Sequence, residues 1–435
     1  MAGLDSPRLR ALTARQFSSL KIFNYRVYFI GQLISLVGTW MQTTAQAWLV
    51  LQLTGSPLAL GTVTTLQFLP ITVFTLFGGA FADRLPKRRV LMITQTLAMI
   101  QAFVLGLLVL TDTVQLWHVY VLAACLGTIN AFDGPVRQSF GVELVGRDQL
   151  VNAVALNSSI FNMARIMGPA VAGVAIAAVG ISTAFLVNAV SFLGVLGAYA
   201  IMRPAEFHTV PPKKAAGNVL SQVREGIVYS WKTPQVLFLF ILLAFLGTFG
   251  YNFTVLIPLV AEFVLKVGPK QFGLLTSAMG LGSLIAALSM AALGRLSQRN
   301  LLFAAATFVV LFVAVAISKS YYATAVLLVA LGIVSVLFST TVNTTLQITV
   351  PDELRGRVMS IFFLLFAGST PIGGYLTGVM AEQFGVTRAL LVMATLCGVG
   401  IALATSYRQV TGAGHRPVTP LPGETVDGPQ QRAQA

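Results

Sequence analysis

Twelve apolar segments follow one another along this chain, each about long enough to cross a lipid bilayer, which takes roughly 20 apolar residues as a helix. Hydrocarbon offers no water to a backbone, so the N–H and C=O groups of such a segment must pair within it, and the α-helix does that. The fold class that follows is an all-α integral membrane protein. Its work is to move something across the membrane or to sense something at it.

The expected spans cover 27–51, 60–82, 90–110, 116–135, 153–179, 184–202, 236–259, 272–293, 301–318, 322–345, 358–380 and 389–406. A polar stretch holding Pro204, Pro211, Pro212, Lys213, Lys214 and Gly217 breaks the series after the sixth. The expected organisation is an N-terminal segment 1–22, a six-helix bundle 23–203, a linker 204–233 with one amphipathic turn around Arg224, a second six-helix bundle 234–408 and a disordered tail 409–435. Six plus six with a central linker is the layout of two bundles that rock about a midplane site.

Charge sets the orientation. Of the 28 Lys and Arg residues, Lys266, Lys270, Lys319 and Arg388 lie in odd-numbered connections and Arg165 lies inside the fifth span. The others lie in the terminal segments and even-numbered connections, which places both termini in the cytoplasm of a cell (inner) membrane. The net charge of +14 is thus strung along one membrane face, where it meets anionic headgroups, and is not a nucleic-acid patch. Cys125 and Cys397 fall inside apolar segments and read as packing residues, so neither a disulfide framework nor a metal site follows. The first 26 residues are polar and basic, which argues against a cleavable signal sequence.

The halves repeat at the level of motifs. The fourth-to-fifth connection reads Val145-Gly-Arg-Asp-Gln-Leu150 and is followed by Gly168-Pro-Ala-Val-Ala-Gly173. The tenth-to-eleventh reads Val350-Pro-Asp-Glu-Leu-Arg355-Gly-Arg357 and is followed by Thr370-Pro-Ile-Gly-Gly374. Gly168, Pro169 and Pro371 are expected to let the fifth and eleventh spans bend.

The sharpest motif is Gly78-Gly-Ala-Phe-Ala-Asp83-Arg84-Leu-Pro-Lys87-Arg88-Arg89, between spans two and three. Its cations alone mark an inside loop. The Gly79-x-x-x-Asp83-Arg84-x-x-x-Arg88 spacing is more specific and resembles the signature loop of the major facilitator superfamily. That resemblance implies that Asp83, Arg84 and Arg88 hold a cytoplasmic gate with Arg137 and with the helix beginning near Arg357. The matching loop of the second half, Leu293-Gly-Arg295-Leu-Ser-Gln-Arg299, has no acid.

A closer resemblance is to the exporter branch that holds the enterobactin exporter and the macrolide-efflux proteins. The stretches that carry it are Asn24-Tyr-Arg-x-Tyr, Gly38-Thr-Trp40-Met-Gln42, Leu53-Thr-Gly55-Ser-Pro57, Asn130-Ala-Phe-Asp133-x-Pro135-x-Arg137-Gln138 and Asn162-x-Ala-Arg165-x-x-Gly168-Pro169. The resemblance implies export of a bulky amphiphilic small molecule by alternating access, against proton entry, by a monomer. The chain departs from the antiporter pattern Gly-Pro-x-x-Gly-Gly, since one glycine of the closing pair is out of place, Ala172 standing before Gly173, and no Arg stands in the middle of span four.

Two ionisable groups sit at membrane depth, Asp133 in span four and Arg165 in span five. Such groups are costly in lipid and face a partner or a cavity. They are expected as a charge pair, either a staple between helices or a proton site at Asp133. Span one carries Gln32, Ser35, Thr39, Gln42, Thr43 and Gln46 largely on one helical face. With Trp40, Gln67 and Asn130, and Asn252 and Asn343 from the second half, these are expected to line a substrate cavity, with interhelix hydrogen bonding as the competing role. The chain has no phosphate-binding Gly-x-x-x-x-Gly-Lys-Ser/Thr loop, and its three histidines are scattered. No cofactor and no enzyme activity are therefore expected, and secondary transport is the remaining source of energy. A lipid or lysolipid flippase of the same fold is the alternative function, and a non-transporting sensor a second, though no sizeable soluble domain accompanies the spans.

Overall fold

The computed structural model describes residues 18–82, 85–208, 219–293 and 298–412, with 75–82, 219–223, 291–293 and 298–299 described by backbone path alone. Among the described residues, eleven helical stretches are long and apolar enough to cross a bilayer. The twelfth is α1 (Phe23–Thr54), whose 32 residues suffice in length and whose Gln and Thr side chains lower its hydropathy. The first half continues with α2 (Pro57–Ala82), α3 (Lys87–Leu110), α4 (Leu116–Val145), α5 (Leu150–Val179) and α6 (Ser182–Ile201). After the linker helix α7 (Val219–Lys232), the second half holds α8 (Pro234–Phe245), α9 (Phe253–Leu259), α10 (Pro269–Leu293), α11 (Gln298–Ile317), α12 (Tyr321–Thr349), α13 (Asp352–Phe366), α14 (Thr370–Phe384) and α15 (Val386–Thr411). These form two six-helix bundles. An even number of crossings puts the ends of the bundled chain on one face, here called the terminal face, and the other is the far face.

Three spans differ from the expected ones. Helix α4 runs past Pro135 to Val145, because helix formation continues into polar sequence beyond the hydrocarbon. The seventh span is two helices: α8 passes into a π-turn over Leu246–Gly250, and the chain leaves helical form at Tyr251 and Asn252 before α9. The eleventh is divided at 367–369 into α13 and α14. Non-helical backbone at membrane depth is tolerated where protein or a cavity covers it.

The linker holds a 14-residue helix where one turn was expected. Arg357 of α13 pairs with Glu225 of α7, and a Cβ on Gly226 would stand only 3.1 Å from that of Arg357. Upstream, Phe207 packs edge-on against Phe140 at 5.5 Å, and His208 N–H donates to the Glu143 carbonyl at 2.8 Å. The connection is thus fastened to the first half at one end and to the second half at the other.

The halves meet mainly through two helix pairs, α5 with α10 and α2 with α14. Both rely on small residues, which let helix backbones approach closely. A Cβ added to Gly61 would fall 2.6 Å from the Gly374 carbonyl, and one on Gly173 would fall 2.7 Å from that of Pro269. The turn between α1 and α2 shows how sequence builds the far face. Gly55, at φ +59, ends α1 in the left-handed region with its N–H on the Leu51 carbonyl. Ser56 Oγ then accepts from Ala59 N–H at 3.1 Å as an N-cap, with Pro57 at the first helical position.

Among the described residues, the hydrogen bonds between halves gather toward the far face and the middle. Ser56 Oγ donates to Glu382 Oε2 at 2.8 Å, Thr65 Oγ1 to the Pro371 carbonyl at 2.8 Å, and Ser277 Oγ to the Ile166 carbonyl at 2.6 Å. Trp48 stacks on Phe272 at 5.4 Å. Toward the terminal face, α5 instead leaves Asn157, Ser158 and Ser159 exposed, as α12 and α13 leave Gln347 and Ser360. Exposed polar side chains on spanning helices mark a water-accessible vestibule. Among the described residues, the bonds that close the molecule between its halves thus lie on the far side and in the middle.

Candidate functional site

Asp133 lies in α4 and is 3% exposed. Its Oδ1 accepts from Thr94 Oγ1 at 2.7 Å and Gln95 Nε2 at 2.8 Å, both on α3. Its Oδ2 accepts from Arg137 Nε at 2.8 Å and from Arg137 Nη2. Arg137 stands one helical turn on, where side chains of a helix meet. Its Nη1 donates to Gln32 Oε1 of α1 at 2.5 Å, and Gln32 Nε2 donates to Tyr199 Oη of α6 at 3.3 Å. One carboxylate–guanidinium pair therefore ties α1, α3, α4 and α6 together. This corrects the expected partner of Asp133, which is Arg137 and not Arg165. It also moves Gln32 from the expected cavity into the network.

The rest of the α1 stripe behaves in the same way. Gln42 Nε2 donates to Gln101 Oε1 of α3 at 2.8 Å, while its Oε1 accepts from Asn188 Nδ2 of α6 at 2.6 Å. Gln46 Nε2 donates to Gln67 Oε1 of α2 at 2.9 Å. Thr39 Oγ1 turns back to the Ser35 carbonyl at 2.9 Å. The competing role was interhelix bonding, and it takes Gln42, Gln46 and Gln67.

Between the halves lies a cavity of about 260 Å³. The first half contributes Trp40, Thr43, Thr44, Ala47 and Arg165, and the second contributes Tyr251, Phe253, Phe272, Met279, Ser339 and Phe366 among others. Tyr251 is held there by the break in the seventh span, with its Oη donating to the Ser335 carbonyl at 2.7 Å and its ring stacked on Phe308 at 5.4 Å. The walls are mostly apolar, and Arg165 is the one ionisable cation among them. Its Nη2 donates to Ser283 Oγ of α10, across the interface. Trp40 and Thr43 are the expected cavity residues that border this space. Asn343 lies one turn beyond Ser339 on the same face of α12, toward the terminal face, and accepts from Gln347 at 2.5 Å. Asn252 donates to the Thr248 carbonyl at 2.6 Å and packs against Gly373, and Asn130 is half-buried on α4 away from the cavity.

The transmembrane secretion effector family (MFS_3) matches residues 14–429. The chain belongs to this family of major facilitator transporters. The multidrug efflux pump Tap of Mycolicibacterium fortuitum is 30% identical over 82% of this chain and 88% of its own length. Macrolide efflux protein A of Streptococcus pyogenes is 24% identical over 88% of this chain and 95% of its own. A bacterial homolog of the lysosomal transporter Spinster, in an inward-facing and occupied conformation, superposes with a TM-score of 0.71 at 12% identity, covering 95% of this chain and 100% of that one. The protein is thus a membrane transporter and not an enzyme.

In this transporter the expected gate residues are distributed as follows. Asp83 and Arg84 lie outside the described residues, and Gly79 is described by its backbone, within α2. Arg88 donates to two carbonyls at the end of α6, from Nε to Tyr199 at 2.6 Å and from Nη2 to Ala200 at 3.0 Å. Those carbonyls have no partner within the helix, and a cation suits that end of its dipole. Lys87 pairs with Glu143 at 2.6 Å inside the first half. Arg357 is taken by Glu225. Of the residues expected to bend, Gly168 lets α5 rest on the backbone of α1 near Val37 and Trp40, and α5 stays one helix through Pro169. Pro371 stands at the start of α14, after the break, which forms at 367–369 rather than at the proline itself.

Sequence reasoning missed Tyr251, Phe272 and Phe366 as cavity walls and Ser283 as the partner of Arg165. The available signal was Gly247, Gly250 and Pro258 within one span, since Gly/Pro-interrupted spans point to transporter binding sites.

Proposed function

We propose that this protein exports a bulky amphiphilic small molecule, of the drug or siderophore kind, by alternating access, and that proton entry drives it. It acts as a monomer in the cell (inner) membrane, with the terminal face in the cytoplasm. The observation that carries this reading is the cavity between the halves, with the hydrogen bonds that join the halves gathered toward its far side and the middle. A substrate arriving from the cytoplasm or the inner leaflet lodges its apolar body against Trp40, Tyr251, Phe272 and Phe366. Rocking of the halves then opens the far face and closes the terminal one.

The efflux pumps similar to this chain support the direction and the substrate class. Closure of the terminal face is assigned to Asp83 and Arg84, with Gly79 admitting close approach, against the Arg357 end of α13. In the open form Glu225 holds Arg357 in place of that partner. Asp133 is the buried carboxylate among the described residues, and the Asp133–Arg137 pair is where a coupling proton would act.

The test is export from cells stripped of their own efflux pumps and loaded with fluorescent amphiphiles and siderophores, with and without a protonophore. Protonophore-sensitive export of any compound is the expected result. Export that ignores the protonophore removes proton coupling, and no export together with lipid transfer between leaflets of liposomes replaces the reading with a flippase.

A further inference from the structure

We infer that the substrate carries an acidic group, a carboxylate or its like, which Arg165 binds while the aromatic walls hold the rest. This rests on the export reading of the cavity and departs from it in size, since the organic acid assigned here has a compact apolar body.

Arg165 carries a charge that no carboxylate among the described residues balances, since none lies within 4 Å of it. Asp133 is the carboxylate buried in the spans, and Arg137 occupies it. Glu262 and Glu382 stand at the ends of helices near the far face. The protein partner of Arg165 is the neutral hydroxyl of Ser283, which engages one of five N–H donors. A guanidinium at membrane depth without an anion is costly. An acid arriving in the cavity supplies the missing charge, and the planar guanidinium fork matches a carboxylate in two parallel bonds.

The surroundings fix the remainder of the ligand. Trp40, Tyr251, Phe253 and Phe272 present ring faces and edges, which favour a flat or ring-bearing body. Drug-sized ligands occupy pockets of roughly 300–1,000 Å³. A cavity of about 260 Å³ suits a compact acid and is small for a lipid with two acyl chains.

The experiment uses one ring body with three ends: pyrenebutyrate, pyrenebutyramide and a pyrenebutyl ammonium. Binding to the purified full chain is measured in phosphatidylcholine nanodiscs, for the wild type and for Arg165→Gln, Arg165→Lys and Ser283→Ala. The ratio of wild-type to variant affinity is read for each probe, so that partition into lipid cancels. The expected result is a loss of about tenfold or more for the carboxylate in Arg165→Gln, no loss for the amide, and no loss for the ammonium. Arg165→Lys keeps the charge without the fork and falls between the wild type and Arg165→Gln for the carboxylate. Ser283→Ala keeps it too; if this variant loses the carboxylate preference as Arg165→Gln does, Arg165 is a bridge between helices and the inference fails. A carboxylate ratio no larger in Arg165→Gln than the amide ratio overturns the acid and leaves the cavity reading intact. Binding of none of them overturns the cavity reading itself. Repeating the titration in phosphatidylglycerol nanodiscs separates the source of the acid, since an unchanged ratio supports a free acid and competition by the lipid overturns it in favour of a headgroup.

Discussion

Glu382, at the end of α14, caps the start of α2 across the interface between the halves. Its Oε2 accepts from Ser56 Oγ at 2.8 Å and from Leu58 N–H at 3.2 Å. A helix N-terminus carries free N–H groups and the positive end of the dipole, and a carboxylate satisfies both. Ser56 is itself the N-cap of that helix, so one acid from the second half completes a capping arrangement begun in the first.

Glu382→Gln should loosen the far face. It replaces a charge with a neutral amide at a dipole end, an interaction worth about 0.3–1 kcal/mol where exposed. The check is the distance distribution between spin labels at Thr113→Cys and Lys319→Cys, one on the far face of each half, with exposed Cys125 changed to Ser. The population of long distances should rise. An unchanged distribution would mean that the far face is held by helix packing alone.

Gly61→Val should act on the same distances more strongly. The added side chain begins where a Cβ already lies 2.6 Å from the Gly374 carbonyl and 3.1 Å from the Gly378 Cα. Backbone cannot yield as a flexible side chain would, so α2 and α14 must part. Membrane insertion should be normal and export lost. Export at the wild-type rate would show that the far side need not close this tightly.

Asp133→Asn and Arg137→Met should each cost about 3–5 kcal/mol of stability, the usual effect of leaving one member of a buried pair alone. The double variant should cost clearly less than the sum, because neither charge is then stranded. Thermal unfolding of the four proteins measures this. Export by a surviving Asp133→Asn protein reports on coupling: if it still responds to the protonophore, Asp133 is a staple and the proton travels elsewhere.

Arg88→Gln should destabilise the protein modestly, by about 1–2 kcal/mol, through the lost cap on α6, and should leave the vestibule open. Unfolding measures the first effect. If the variant instead keeps its stability and loses export, Arg88 belongs to the gate rather than to the end of α6.

The order of the spans and the side of the membrane that carries positive charge were legible in the sequence, since lipid leaves an apolar segment of that length few alternatives. The duties of single polar residues were harder to read. The spacing of Gln32, Gln42 and Gln46 places them near one face of α1, yet periodicity does not say what that face meets. Gln32 meets Arg137 and Tyr199, while the partners of Gln42 and Gln46 are Gln101, Asn188 and Gln67 on three other helices, and only the packing shows that their depths agree. The Asp133–Arg137 spacing of four was visible, and a local partner on the same helix has less entropy to lose than a distant one such as Arg165. The cavity walls were hidden for a different reason. In a chain with 29 Phe, an aromatic residue in a span says nothing by itself, and the break at Tyr251 that aims the wall inward leaves only glycines and a proline as its trace.

The linker adds a limit that belongs to neither half. His208 is fixed to Glu143 on one side, and Glu225 to Arg357 on the other. The chain from His208 to the start of α7 at Val219 is short, and an extended chain gains at most about 3.6 Å per residue. It is therefore a tether with a finite reach of roughly 40 Å. However wide a cargo the vestibule admits, the two anchors, with the helical stretch from Val219 to Glu225 adding roughly 9 Å, can separate no further than about 50 Å unless one of them lets go, and the exposed Arg357–Glu225 pair is the weaker knot.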